Sequence, residues 1–322
     1  MIIAHLSNKA SEFYQITHKN KDLLADAVWI DVISPTRDEE IMVEEMTKTS
    51  IPTREEMAEI ELSSRLYKDK SILYMTASMI AHAESPNPIF DSVSFVLTKT
   101  KLITVRYIEP TAFKLFSLQI QKLYLNTHNS DDVLMDLLDA TIDRLADILE
   151  LVGRRVDEHS KRIFRAIDDG NKPDYLTLMQ QIGVNGDLTT KTRESLMSFS
   201  RLLQFFSQHA SSRLDNEDLS RLKALTNDVI ALSDHADFLS NKIIFLLEAT
   251  LGMIGIEQNN IIKIFSVAAV IFLPPTLIAS IYGMNFHYMP ELSWKYGYEF
   301  AIVLMLFAAF VPYKFFKRKK WL

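Results

Sequence analysis

The stretch from Ile264 to Pro290 reads IFSVAAVIFLPPTLIASIYGMNFHYMP and holds no Asp, Glu, Lys or Arg over 27 residues. A helix needs only about 20 predominantly apolar residues to cross roughly 30 Å of hydrocarbon, so this stretch is predicted to span a membrane. A second charge-free run, Phe300 to Tyr313, is shorter at 14 residues. With Glu299 at one interface and Lys314 snorkelling at the other it grows to Tyr296–Phe316, 21 residues, which is enough to cross. Trp294, Tyr296 and Tyr298 precede this run and Tyr313, Phe315, Phe316 and Trp321 follow it, ring types that favour the headgroup layer. Two spans are therefore expected.

Lys317, Arg318, Lys319 and Lys320 follow the second span, whereas the connection between spans holds Lys295 against Glu291 and Glu299. Positive residues stay on the cytoplasmic side, which places the C-terminus in the cytoplasm. An even number of crossings places the N-terminal portion there too. The start, Met1-Ile2-Ile3-Ala4-His5, has no basic segment followed by an apolar one, so a cleaved signal peptide is not expected. Mean hydropathy is +0.04 with 24% charged residues, the average of a charged soluble part and a short oily one. The net charge is −6 although the tail is basic, so the cytoplasmic part is acidic, which argues against nucleic acid and permits cation binding. The chain has no Cys, which excludes disulfides and thiolate metal sites.

The cytoplasmic part reads as two sections. Ala27 to Ile33 is a β-rich run stopped by Ser34-Pro35. Thr36–Lys48 and Thr53–Ser63 read as short amphipathic helices, the second opened by a Thr53/Glu56 capping box. Ser71–Ala83, Ser92–Thr98 and Leu102–Tyr107 read as strands, with Lys99-Thr100-Lys101 as a tight turn, and Pro110 to about Leu123 as a closing helix. The expected fold class is therefore α+β, a mostly antiparallel sheet with flanking helices, followed by long helices. Val133, Leu134, Leu137, Leu138, Ile142, Leu145, Ile148, Leu149 and Val152 recur at helical spacing up to a break at 168–173. A second long helix is expected from Asp174 to about Ser211, with Gly183 and Gly186 as weak points, and a third from near Asn216. No proline then occurs before Pro274, so Asp218 to Tyr282 is predicted as one helix running into the first span, about 97 Å at 1.5 Å per residue. Leu219, Leu222, Leu225, Val229, Leu232 and His235 or Ala236 give it a bundle-packing edge. The resulting division is 1–125 for the α/β domain, 126–263 for the bundle and stalk, 264–285 and 299–316 for the spans, 286–298 for the external loop and 317–322 for the basic tail.

Tyr282-Gly283-Met284-Asn285 closing the first of two C-terminal spans, then Met289-Pro290-Glu291-Leu292, then a short second span with a Lys/Arg tail, resembles the CorA family of magnesium channels. Thr53-Arg54-Glu55-Glu56-Met57-Ala58-Glu59-Ile60-Glu61, Ile256-Glu257-Gln258-Asn259-Asn260 and Phe272-Leu273-Pro274-Pro275-Thr276-Leu277 are similar to that family as well, so the resemblance covers essentially the whole chain. It implies a funnel-shaped homopentamer in a bacterial cytoplasmic (inner) membrane, with both termini cytoplasmic. The first spans would line a central pore and the second spans form an outer ring. Magnesium would be the cargo, cobalt and nickel possible surrogates, and internal magnesium the regulator that closes the channel. No organic cofactor is implied.

Magnesium gives up water reluctantly, so a pore that handles it cheaply offers oxygen acceptors to a hydrated ion. The resemblance assigns that role to a ring built from Gly283, Met284 and Asn285, where Gly283 lets the backbone approach the axis and Asn285 supplies an amide oxygen. The alternative for the same residues is a helix C-cap. Ser280, Thr276 or Leu277, Leu273, Ala269 or Val270, Ser266 or Phe265, Ile262 and Asn259 recur at close to a 3.6-residue period and read as one face, a small or apolar lining suited to closing by dewetting. The alternative is that its apolar members meet lipid or a neighbouring helix. Lys263 should point away from any cation path. Pro274-Pro275 reads as a hinge or as a tolerated bend. Glu291 reads as a cation-concentrating charge in the outer loop or as a solvated one.

For regulation, the resemblance points to acidic residues between neighbouring cytoplasmic domains, with Asp91, Asp228, Asp234 and Asp237 as the candidates among several carboxylates that include Asp215, Glu217 and Asp218. The absence of Gly-x-x-x-x-Gly-Lys-Ser/Thr argues against ATP-driven transport, and the eight His include no His-Glu-x-x-His. No enzyme is therefore expected. A divalent ion entering a negative interior gains about 4.6 kcal/mol per 100 mV, which suffices for passive influx. Two other readings stay open: a zinc or other divalent transporter on the same scaffold, and a membrane-anchored scaffold without a pore.

Overall fold

The computed structural model describes residues 1–6, 13–123, 129–169, 174–210, 213–285, 287, 289–319 and 321. The chain divides into two compact units, Met1–Leu247 and Glu248–Leu322. In the first, β3 (Ala27–Ile33) is buried along its whole length, because both of its faces are covered. That explains why it reads as a continuous apolar run and not an alternating one. Around it the sheet orders as β2 (Phe13–Ile16), β1 (Ile2–Leu6), β3, β7 (Leu102–Arg106), β6 (Ile89–Leu97), β5 (Ile72–Ala81) and β4 (Leu66–Asp69). Only β3 and β7 among these neighbours run parallel, so the sheet is mostly antiparallel, as expected. Thr98 Oγ1 accepts from the backbone N–H groups of Thr100 and Lys101 and closes the predicted turn.

Three strands went unread. β1 and β2 are five and four residues long, and β4 is a four-residue edge strand carrying Lys68 and Asp69 outward, the charged and short kind that avoids sheet-to-sheet pairing. The expected helix over Thr53–Ser63 is two pieces, α3 (Arg54–Ala58) and α4 (Leu62–Arg65), after α1 (Leu23–Asp26) and α2 (Arg37–Thr47). Glu59 turns extended, and Arg65 Nε donates to its carbonyl at 2.6 Å, a side-chain capture that no local propensity announces. The Thr53/Glu56 capping box is present, and α2 carries a second one on Thr36 and Glu39.

One face of the sheet packs Ile30 and Val32 of β3 against Leu24, Met42, Val43 and Met57 from α1, α2 and α3. The opposite face packs Trp29 against Phe113 and Phe116 of α5 (Thr111–Leu123), and Phe95 against Phe113 and Phe199. On that second face, Trp29 Nε1 donates to Thr104 Oγ1 at 3.0 Å, and Thr104 Oγ1 donates to Asp31 Oδ1 at 2.7 Å. Arg106 closes the network: Nε and Nη2 grip Asp31, and Nη1 donates to the Ile108 carbonyl at 2.7 Å. The Asp31 and Arg106 side chains are 7% and 8% exposed, so the charges are spent on each other.

The long helices follow: α6 (Ser130–Asp169), α7 (Tyr175–Ala210) and α8 (Asn216–Tyr282). All nine apolar positions predicted to line α6 are buried, as are Leu222, Leu225, Val229 and Ala236 of α8. Gly186 is not a weak point. α7 runs through it, and a methyl there would sit in ordinary contact, 3.5 Å from the Ile243 side chain of α8. Arg221 of α8 bridges Asp136 at 2.6 Å and Asp139 at 2.9 Å, and Arg193 of α7 meets Asp237 of α8 at 2.6 Å. Ser195 of α7 donates to the Ser78 carbonyl at 2.7 Å, which pins the helix layer to β5.

Between α6 and α7, Asn185 Nδ2 donates to the Gln181 carbonyl at 3.0 Å and lies 3.1 Å from His159 Nε2. Both amide protons are thereby committed, so the imidazole accepts at Nε2 and is held neutral. Burial first, and Arg162 second, push its pKa down, with Arg155 adding to this and Glu158 opposing it. An unfolded His takes its proton near pH 6.5, so the unfolded chain binds more protons below that value and stability falls as the pH drops. The denaturation midpoint of the full chain should fall from pH 7 to pH 5, and His159→Gln should flatten part of that fall. A second measurement tests the sheet. Asp31→Asn leaves Arg106 buried without its counter-ion and should cost about 3 kcal/mol or more, whereas Arg154→Ala, at a pair with side chains 60% and 69% exposed, should stay within about 0.5 kcal/mol.

Candidate functional site

Within Glu248–Leu322, two helices are long and apolar enough to cross a membrane, α8 and α9 (Gly297–Arg318). The C-terminal part of α8 has two distinct sides. Val267 is buried, and Ile271, Pro274, Pro275, Ile278 and Tyr282 are half-buried, positions that fall on one side at 100° per residue. α9 carries buried Gly297 and Ala301. Asn259, Ile262, Ser266, Ala269, Leu273 and Ser280 are all exposed and centre on the side of α8 roughly opposite that covered one. Lys263 falls toward the covered side, its Nζ 5.5 Å from the centre of the Trp321 ring. Ile264, Phe265, Val270, Phe272, Leu277 and Ile281 are exposed as well, so the six period-selected positions are part of a wider uncovered surface.

The helix ends where the signature begins. Gly283 N–H donates to the Ala279 carbonyl at 2.9 Å and Met284 N–H to the Ile281 carbonyl at 3.2 Å, a tightening last turn. A methyl on Gly283 would come 3.2 Å from the Ala279 oxygen, so part of the reason for glycine is conformational. Gly283, Met284 and Asn285 are exposed, and among the described residues the Asn285 amide has no hydrogen-bond partner. Pro274 and Pro275 lie inside the helix without ending it, and remove the donors that would reach the Val270 and Ile271 carbonyls. Thr276 Oγ1 donates to the Phe272 carbonyl at 2.7 Å just beyond them. In the loop, Pro290–Ser293 forms a 3-10 turn; the side chain of Glu291 lies outside the described residues.

The four acidic candidates are spread over the first unit. Asp91 lies on β6, accepts from the Ser92 N–H at 2.8 Å, and has Arg54 at 3.9 Å. Asp228, Asp234 and Asp237 are exposed on α8, and Asp237 is paired with Arg193. Among the described residues, no three carboxylates or imidazoles gather into a group able to hold a metal. The structure does bring together a row that sequence reading passed over: Asp132, Asp136, Asp139, Asp143 and Asp147, spaced three or four apart on α6, beside Asp215, Asp218 and Asp228. Burial, then Asp139, Asp147 and Asp228, push the Asp143 carboxyl up. Burial, then Asp215 and Asp132, do the same to Asp218, and burial raises Asp136 against the pull of Arg221. The signal was the i, i+3/i+4 spacing of five Asp, which apolar periodicity in the same helix masks.

Residues 25–318 match the family model described as CorA-like Mg2+ transporter protein. The chain belongs to that family. It is 36% identical over 300 residues to the magnesium transport protein CorA of Salmonella typhimurium, covering 93% of each chain. It is 37% identical over 300 residues to that of Escherichia coli K12, again with 93% of each covered. In fold it matches the complete CorA magnesium transporter of Methanocaldococcus jannaschii with a TM-score of 0.76 at 18% identity, over 100% of this chain and 99% of the other. CorA membership places the protein among membrane transporters and not among enzymes, and the α/β sheet domain, long helices and two C-terminal apolar helices are those of the CorA fold.

The crowded acidic row is testable in this CorA protein. Because the ionised form of Asp143 is disfavoured in the folded state, Asp143→Asn should stabilise the full chain at pH 7 and low salt, within about 0.5 kcal/mol. The gain should shrink as the pH falls through the raised folded value and be gone below the unfolded value near 3.9, read as the denaturation midpoint.

Proposed function

We propose that this protein is a passive channel for magnesium, a homopentamer in a bacterial inner membrane with both termini in the cytoplasm. In this reading residues 264–285 form the pore-lining span, 299–316 the outer span and 286–298 the external loop. Residues 126–263 form the bundle and stalk, and 1–125 the cytoplasmic α/β domain. The observation that carries it is the open side of α8, where Asn259, Ile262, Ser266, Ala269, Leu273 and Ser280 are exposed roughly opposite its covered side, with an Asn285 amide just past the helix end that has no partner among the described residues. Fivefold repetition would turn Gly283, Met284 and Asn285 into a ring of amide and carbonyl oxygens. Such a ring suits an ion that keeps its first water shell, because Mg2+ dehydrates reluctantly. Cobalt and nickel, similar in charge, would pass by the same route. Glu291 would raise the local cation concentration at the mouth.

Closure by internal magnesium belongs to the same proposal. Asp91, Asp228, Asp234 and Asp237 would act between neighbouring chains, since among the described residues of one chain no three of the possible ligands form a group able to hold a metal. Asp228 is the best supported of them, because it lies exposed and raises the pKa of Asp143, a repulsion that a bound divalent ion would relieve. Asp237 is the least, being occupied by Arg193.

The deciding experiment is magnesium uptake into liposomes holding the purified full chain, under an inside-negative potential, with internal magnesium varied. Uptake should fall at least tenfold in Asn285→Ala and should decline as internal magnesium rises. Zinc uptake without magnesium uptake would replace the cargo, and no uptake of either from folded protein would replace the channel by a non-conducting membrane scaffold.

A further inference from the structure

The parallel pair β3 and β7 makes a crevice that the transport function does not use. Both strands end at the same level, β3 at Ile33 and β7 at Arg106, which are register partners. Their chains then leave in opposite directions. The turn after β3 leads to α2, whose Met42 and Val43 pack with Ile30 and Val32 on one face. The segment after β7 leads to α5, whose Phe113 and Phe116 pack on Trp29 on the other. On the α5 side, between that helix and the sheet face carrying Ile3, Phe13, Asp31 and Ile33, lies a cleft. Here the cleft is about 550 Å³, within the few hundred to a thousand Å³ typical of small-molecule sites.

Its chemistry is specific. Ile3, Phe13 and Leu118 supply the accessible apolar wall, with Trp29 and Phe113 buried directly behind it. Asp31 and Arg106 form the buried polar part, and after its bonds to Asp31 and Ile108 the Arg106 guanidinium keeps one further N–H on each of Nη1 and Nη2. Lys114 lies exposed on the rim and makes no ion pair among the described residues, while Glu109 puts a like charge for any anion on the same rim. We propose that this cleft binds a small organic anion, a carboxylate or phosphate carried on a planar aromatic body. The ring would lie against Phe13 and Leu118, close enough to Trp29 to be read by it, and the anionic group would meet Lys114 and the residual donors of Arg106. Site and function are separate: the cleft lies wholly within Met1–Leu247, and nothing in its argument depends on a pore.

Trp29 makes the test direct, because the chain has three Trp and the other two are Trp294 and Trp321. The full-length protein carrying Trp294→Phe and Trp321→Phe reports the cleft through Trp29 fluorescence. It is titrated with AMP as the phosphate, phenylacetate as the carboxylate and adenosine as the neutral control. A saturable change in the low-millimolar range or tighter is expected with at least one anion and not with adenosine. AMP alone would identify a phosphate-bearing ligand and phenylacetate alone a carboxylate. Lys114→Ala, at an exposed position, should weaken binding roughly tenfold, the equivalent of about 1.4 kcal/mol. Glu109→Gln should tighten it, and Ser117→Phe, which fills the cleft, should abolish it. No saturable change with either anion, a response to adenosine equal to that to AMP, or affinity unchanged in Lys114→Ala overturns the proposal.

Discussion

Backbone N–H and C=O groups find no water inside a bilayer, so a chain that crosses one must satisfy them internally, and for a single segment that means a helix. This constraint shapes α8 more than any other element. Its last third is free of charge from Ile264 onward, while its first half carries charge along an apolar stripe that buries Leu222, Leu225, Val229, Ala236, Leu239, Ile243 and Leu246. In proteins most of a helix's stability comes from packing its amphipathic face, and the 67-residue α8 depends on what it packs against. α6 and α7 supply that support, through the apolar stripe and the ion pairs of Arg221 and Arg193. The helix layer in turn rests on the sheet through Ser195 and the Phe95–Phe199 contact.

The sheet shows how polar groups are handled when both faces are covered. A buried Asp would be intolerable alone, and its price is met by three partners at once: Thr104, and two nitrogens of Arg106. Arg106 itself is supported on its other side by the ring of Phe113, 4.8 Å from the guanidinium carbon. The network therefore ties the parallel strand pair to α5, and sets where the chain can leave the sheet after β7.

How much of this was legible in the sequence depended on whether the signal was local. Long apolar periodicity gave α6 and α8 nearly to the residue, because each buried position repeats every three or four residues over many turns. β3 and β7 were legible because β-branched runs stop at Pro or Gly-like turns or at polar loops. β1, β2 and β4 were not, since four or five residues cannot establish a period, and β4 draws its stability from pairing with β5 alone. The break after Ala58 was invisible for a different reason: it is fixed by Arg65 reaching back to the Glu59 carbonyl and onward to Ser78 and Ser92, contacts made only once the sheet exists. At the candidate site, the exposed face of α8 followed from helical period, but the Asp row on α6 did not. The same residues interleave with the apolar stripe, and only the approach of Asp228 and Arg221 reveals that they share surroundings.

The exposure left on α8 is itself an argument about assembly. Phe238, Ile244, Phe245, Leu251 and Ile256 are each more than half exposed, and all lie before the charge-free stretch, where lipid is not the expected solvent. Phe245 finds one partner, stacking on Phe164 at 6.3 Å between centres, and still stays open on its other side. Large apolar side chains at this density along one helix are costly in water and mark surfaces that another protein surface covers. Farther along the same helix, the Asn259–Ser280 face poses the reverse problem, because Asn259, Ser266 and Ser280 are poorly suited to hydrocarbon while Ile262 and Leu273 are poorly suited to water. A single chain satisfies neither requirement. A ring of identical chains satisfies both at once, covering the aromatic stretch by neighbours and turning the mixed face toward a narrow, partly wet axis. Two unrelated deficits of the same helix thus support the proposed oligomer, and the Asn285 amide, just past the helix end, has no partner of its own among the described residues.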